Sequence, residues 1–153
     1  MDVIDLIPNS MTFRIVSTLD LEDGEDTPPE FTGRVRRHST GRPVSVAWYH
    51  CGLLQNPGRH HPAFRSFRAA GQVKCEMYYT VGSLQDPNAS TAAVRGYYAS
   101  GDLHYEERWF RGLRQDGIDG TAAIRKWRAD GSLRHELHYE RGARSSITLS
   151  LGR

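Results

Sequence analysis

The chain has 153 residues, 38% of them hydrophobic, with a mean hydropathy of −0.60 and a formal net charge of +2. That length suits one domain with a thin core, and no run of about 18 apolar residues is present to form a membrane-spanning helix. Cys51 and Cys75 are too few for a disulfide framework, and the acidic opening Met1-Asp2-Val3-Ile4-Asp5 lacks the basic start of a secretory signal, so a cytoplasmic location is expected.

Residues 1–30 read as an N-terminal strand followed by an acidic loop. Met11, Phe13 and Ile15 alternate with Thr12, Arg14 and Val16, which predicts a strand over 11–19. The segment holds eight acids against Arg14 alone, a charge of −7, whereas residues 31–153 hold nineteen Arg and Lys against ten acids. The stretch "DLEDGEDTPPE" is therefore either a solvated loop or a contact element for a basic partner.

From residue 31 onward the chain repeats. Gly41, Gly71, Gly101 and Gly131 lie thirty residues apart, as do Gly52, Gly82, Gly112 and Gly142, and Tyr49, Tyr79, Trp109 and Tyr139. Gln55, Gln85 and Gln115 recur at the same period, each followed by a turn pair: Asn56-Pro57, Asp86-Pro87 and Asp116-Gly117. The units run 31–61, 62–91, 92–121 and 122–144. Each reads as a β-hairpin with a two-residue turn at Ala70-Gly71, Ser100-Gly101 or Asp130-Gly131. That register sets Arg65 opposite Glu76, Arg95 opposite Glu106 and Arg125 opposite Glu136. Nearer the turn it sets Phe67 opposite Lys74, Tyr97 opposite His104 and Trp127 opposite Arg134. The first unit is degenerate, as an end unit of a stack often is.

The opposite face, with Cys75, Val94, Ile124, Leu133 and Leu137, is the expected core. A closing strand is expected over 145–153, where Ile147, Leu149 and Leu151 alternate with polar residues. The rival reading makes "SLRHELHYERG" a helix, with Leu133 and Leu137 four apart. The fold class expected is all-β: an antiparallel meander of about four hairpin repeats of 30 residues, roughly ten strands in a single twisted sheet, open or curling toward a barrel.

"AVRGYYASGDLHYEERWFRG" and "AIRKWRADGSLRHELHYERG" resemble the MORN-variant repeat, whose unit combines an aromatic residue, Gly, Leu, Glu, Tyr and a closing Gly. The resemblance covers 62–144 well and 31–61 poorly, and this unit is longer because an extended loop joins the hairpins. It implies an elongated meander of hairpins and a role as an interaction module; some members are antitoxins, and bacterial and phage proteins carry such units. It implies no catalytic residue.

The residues themselves suggest no chemistry either, and no catalytic residue, metal site or cofactor is assigned. His135 and His138 stand three apart on a strand and so face opposite ways. Arg59-His60-His61-Pro62 reads as an exposed polar loop. The expected function is a non-enzymatic protein–protein interaction module, its partner a host protein or toxin. Its binding candidates are Trp48, Arg65, Phe67, Tyr78, Arg95, Tyr97, Arg125 and Trp127. The alternative is single-stranded nucleic acid, with phosphates tracked by the arginines and bases stacked on the rings.

Overall fold

A computed structural model describes residues 2–9 and 12–151. Every element among them is a β-strand. Strands β1 (Asp2–Asn9) and β2 (Thr12–Leu21) come first, then β3 (Gly33–Ser39), β4 (Arg42–His50) and the short β5 (Leu53–Leu54). The second unit supplies β6 (Phe64–Phe67), β7 (Val73–Met77), β8 (Tyr79–Thr80) and β9 (Ser83–Leu84). The third repeats that pattern with β10 (Val94–Tyr97), β11 (Leu103–Glu107), β12 (Trp109–Phe110) and β13 (Leu113–Arg114). The last has β14 (Ile124–Trp127), an uninterrupted β15 (Leu133–Glu140) and β16 (Ala143–Leu149). The all-β expectation therefore holds, with short strands raising the number above ten. The segment after Gly131 is strand and not helix.

The main sheet runs β1-β2-β3-β4-β6-β7-β10-β11-β14-β15-β16, with β5 attached to β4 and the pairs β8-β9 and β12-β13 set apart. Its terminal strands β1 and β16 each have one neighbour, so the sheet is open and does not close into a barrel. It is not wholly antiparallel: β2 and β3 pair parallel, Thr18 with Arg34 through Leu21 with Arg37. A parallel neighbour cannot follow a tight turn, and the acidic stretch after Leu21 supplies the crossover. Arg37 ties that crossover to the sheet by donating to the Glu25 carbonyl (2.7 Å) and to Thr27 Oγ1 (2.9 Å). Residue 11 of the predicted first strand and residues 152–153 of the predicted closing strand lie outside the described residues.

The Arg–Glu register is as expected: Arg65 pairs with Glu76, Arg95 with Glu106 and Arg125 with Glu136 along the backbone. The turns are not. Gly71, Gly101 and Gly131 donate to the carbonyls of Arg68, Tyr98 and Arg128, and those three residues donate to Gln72, Asp102 and Ser132. Each loop thus has three residues, with glycine at φ of 91°, 93° and 85°. A bulge in the return strand restores the register, so Phe67, Tyr97 and Trp127 face Val73, Leu103 and Leu133 and not the predicted bases. His104, freed by the bulge, stacks on Tyr98 with ring centres 4.2 Å apart.

Two-residue turns lie at Thr40-Gly41 in the first unit and at the whole of the other glycine set. Cys51-Gly52, Val81-Gly82, Arg111-Gly112 and Arg141-Gly142 all hold both residues at positive φ, the conformation that matches strand twist in a type I′ hairpin. The expected core face buries Val35, Ala47, Cys75, Val94 and Ile124. On this face Gly96 lies beneath the Tyr105 ring, and a Cβ there would run into it. The Tyr105 hydroxyl reaches Cys75 Sγ at 3.7 Å.

Candidate functional site

The Arg–Glu face begins from cross-strand geometry. Residues two apart on a strand share a face, so Arg65, Phe67, Arg95, Tyr97, Arg125 and Trp127 line up unit by unit. The Arg65 guanidinium donates to Glu76 Oε1 through Nε (3.0 Å) and lies 2.8 Å from it through Nη2. Glu76 Oε2 accepts the Tyr97 hydroxyl at 3.1 Å. Burial, with the Glu76 carboxylate close by, pushes the Tyr97 phenol up to about 12. Arg95 stands 4.0 Å from Glu106. Arg125 departs from the expected pairing: its guanidinium reaches back to Glu106 on the preceding hairpin, not to Glu136 opposite it, and lies 5.1 Å over the Trp127 ring. Glu106 is 3% exposed and is held between the two arginines.

At the first repeat the face deepens into a cavity of about 290 Å³ that brings together Trp48, Arg65 and Phe67. Arg34, Val46, Pro57, His61 and Pro62 complete the wall. The Arg34 guanidinium lies 5.6 Å over the Trp48 ring. Two rings, two prolines and Val46 make the wall largely apolar, with Arg34 stacked on Trp48 and Arg65 already paired with Glu76, which suits an apolar or aromatic side chain.

Tyr78 does not belong to this surface. It is 7% exposed, and burial raises its phenol above the ordinary range. Its backbone N–H donates to the Ala93 carbonyl (2.7 Å) and its own carbonyl accepts from Gln85 (3.2 Å), so the next linker closes over it.

Gln55, Gln85 and Gln115 and the residues after them do more than mark a loop. They are clasps. Asn56 Oδ1 accepts the N–H groups of Ala63 (3.1 Å) and Tyr79 (2.8 Å). Asp86 Oδ1 accepts those of Ala93 (2.8 Å) and Trp109 (2.9 Å), and Asp116 Oδ1 those of Ala123 (2.8 Å) and Tyr139 (3.0 Å). The glutamine side chains accept from Val81, Arg111 and Arg141, each at 2.7 Å. In the degenerate first unit Thr32 Oγ1 takes the glutamine's place, accepting from Cys51 at 2.8 Å.

The second carboxylate oxygen meets a basic side chain where there is one. Asp86 Oδ2 accepts from Arg108 Nη1 (3.3 Å), and Asp116 Oδ2 lies 2.7 Å from His138 Nδ1. Asn56 stands in the unit whose corresponding residue is the neutral Tyr78. The signal was present in the sequence as a matched pair 22 residues apart: Asn with Tyr, Asp with Arg, Asp with His. Arg108 is 4% exposed and also donates to the Ala89 carbonyl at 3.1 Å. Burial raises the Asp86 carboxyl above the ordinary carboxylate range, against the lowering by the Trp109 and Ala93 N–H groups and by Arg108.

Among the described residues no group of three His, Cys, Asp or Glu side chains could hold a metal ion, and no helix is long and apolar enough to cross a membrane. No protein-family model, curated protein or solved structure matches the chain.

Proposed function

We propose that the protein is a non-enzymatic binding module whose Arg–aromatic face receives a protein partner, with the Trp48–Arg65–Phe67 cavity as its anchor. The cavity carries the reading: it is the place where the row of rings opens into a concave, partly apolar pocket with guanidiniums at its wall. Buried aromatic and arginine anchors of this kind dominate protein interfaces. The resemblance of the repeats to MORN-variant units supports the same reading and, with it, a partner such as a toxin or a host protein. Free thiols at Cys51 and Cys75 suit a reducing cytoplasm.

The pairing of Arg65 with Glu76, and of Arg95 and Arg125 with Glu106, weighs against nucleic acid, because a phosphate-tracking row gains from cations without carboxylate neighbours. The test is affinity capture from a lysate of the source cells with the wild type and with Trp48→Ala/Phe67→Ala. One stoichiometric protein is expected with the wild type. The double variant should lose about 2 kcal/mol or more of that affinity while keeping the β-sheet circular dichroism of the wild type. Capture unaffected by the double substitution, or salt-steep binding to single-stranded DNA, would overturn the reading.

A further inference from the structure

The last strand differs from every strand inside the sheet. β16 occupies beside β15 the lateral slot that β10 fills beside β7 and β14 beside β11, but among the described residues it has no neighbour on its far side. It is exposed from end to end, with Ile147 at 51% and Leu149 at 67%. Natural edges are usually blunted by charge, proline or a twist. On β16 the charge and the irregularity both lie at its start, at Arg144 and opposite His138 and Tyr139, and residues 145–151, "SSITLSL", contain neither a charge nor a proline.

The direction of the backbone groups follows from one bond. Ser150 N donates to the Arg134 carbonyl at 2.9 Å, and in an antiparallel ladder the residues that bond to a given side alternate. The N–H and C=O groups of Thr148 and Ser150 therefore face β15, and those of Ile147 and Leu149 face outward. By register, the Ile147 and Leu149 side chains share a face with Leu137 and His135.

We propose that this edge is the seam of a homodimer, in which β16 pairs antiparallel with β16 of a second copy about a two-fold axis at Thr148. Ile147 and Leu149 then exchange both backbone bonds with Leu149 and Ile147 of the second copy, and their side chains meet on one face. Thr148 meets Thr148, and Ser146 meets Ser150, on the other. The occupant is a second copy because the pattern about Thr148 is symmetric in chemistry: apolar at 147 and 149, hydroxyl at 146, 148 and 150. Self-pairing over 145–151 sets no like charges opposite one another. A two-fold interface requires that self-complementarity.

Sedimentation of the full chain over a wide concentration range tests this. The mass is expected to rise from 17.3 kDa toward twice that value. Ile147→Lys should weaken the association at least about 30-fold and leave the melting temperature of the dilute protein unchanged, because this side chain is exposed in the single copy. Leu149→Pro, which removes an outward N–H, should do the same. A wild type that stays at 17.3 kDa throughout overturns the proposal, as does an Ile147→Lys protein that dimerises like the wild type. A monomer that captures a foreign protein through Ile147 also overturns it, the edge then accepting another chain's strand. None of these outcomes touches the Trp48–Phe67 reading.

Discussion

At the scale of the residue, the matched pairs of the clasps decide which side chains tolerate change. Asp86 and Arg108 are both largely withdrawn from water, with side-chain exposures of 18% and 5%. Removing one partner of such a pair leaves the other charged and desolvated. Asp86→Asn keeps the acceptor for Ala93 and Trp109 but strands Arg108, and should cost about 3 kcal/mol. The double variant Asp86→Asn/Arg108→Tyr copies the Asn56–Tyr78 combination already present in the chain and should recover most of that loss. Urea unfolding of the two single variants and the double closes the cycle, with a coupling of about 1.5 kcal/mol or more expected. Additive costs would show that the pair does not act as a unit.

At the scale of the element, two kinds of turn alternate along the chain, and their glycines do different work. In the three-residue loops, glycine alone takes the left-handed position. In the two-residue turns a second residue must do so as well, and at one of them that residue is Val81, at φ 46° and 68% exposed. A β-branched residue is strained there, whereas asparagine visits the region readily. Val81→Asn should therefore raise stability by about 1 kcal/mol, read as a higher urea midpoint at unchanged slope; a lower midpoint would refute the assignment.

This element also marks how far sequence could reach. Strand type and the Arg–Glu register were legible from spacing, because facing residues keep a constant index sum along a hairpin. The turn was not: one extra loop residue and one bulge residue cancel in that sum. The register beyond Ser66 looks the same for either turn, while Phe67, Tyr97 and Trp127 shift partners. The burial of Tyr78 is likewise not visible from spacing, since it depends on a linker folding back from the next unit.

At the scale of the whole molecule, the charge asymmetry seen in the sequence has a structural counterpart where the parallel strands meet. Asp20 on β2 accepts from Arg36 on β3 through both oxygens, at 2.8 and 2.9 Å. The Arg36 hydrogen bonds, and the charges of Arg36, His38 and Arg34, hold the Asp20 carboxyl below the ordinary carboxylate range. A group with a lowered folded-state value contributes stability above its unfolded value and loses it as pH falls through the folded one. The side chains are 51% and 37% exposed, so Asp20→Asn should cost no more than about 1 kcal/mol at neutral pH. That difference should shrink toward zero in acid, by urea midpoints at the two pH values; a constant difference would show that ionisation of Asp20 is not involved. The parallel pairing itself was not legible, because it joins strands through a crossover without periodic signal. The cavity at Trp48 was legible only as separate residues, since its walls come from β3, β4, β6 and the loop between the last two.

The clasps all point one way along the chain. Asn56 and Gln55 hold residues 79–81, Asp86 and Gln85 hold 109–111, and Asp116 and Gln115 hold 139–141. Every module after the first is thus fastened by its predecessor, and none needs a contact with a distant copy. Another thirty-residue module spliced into the middle would accept the clasp of the module before it and supply the same clasp to the module after it, so the architecture can lengthen by whole modules without redesign.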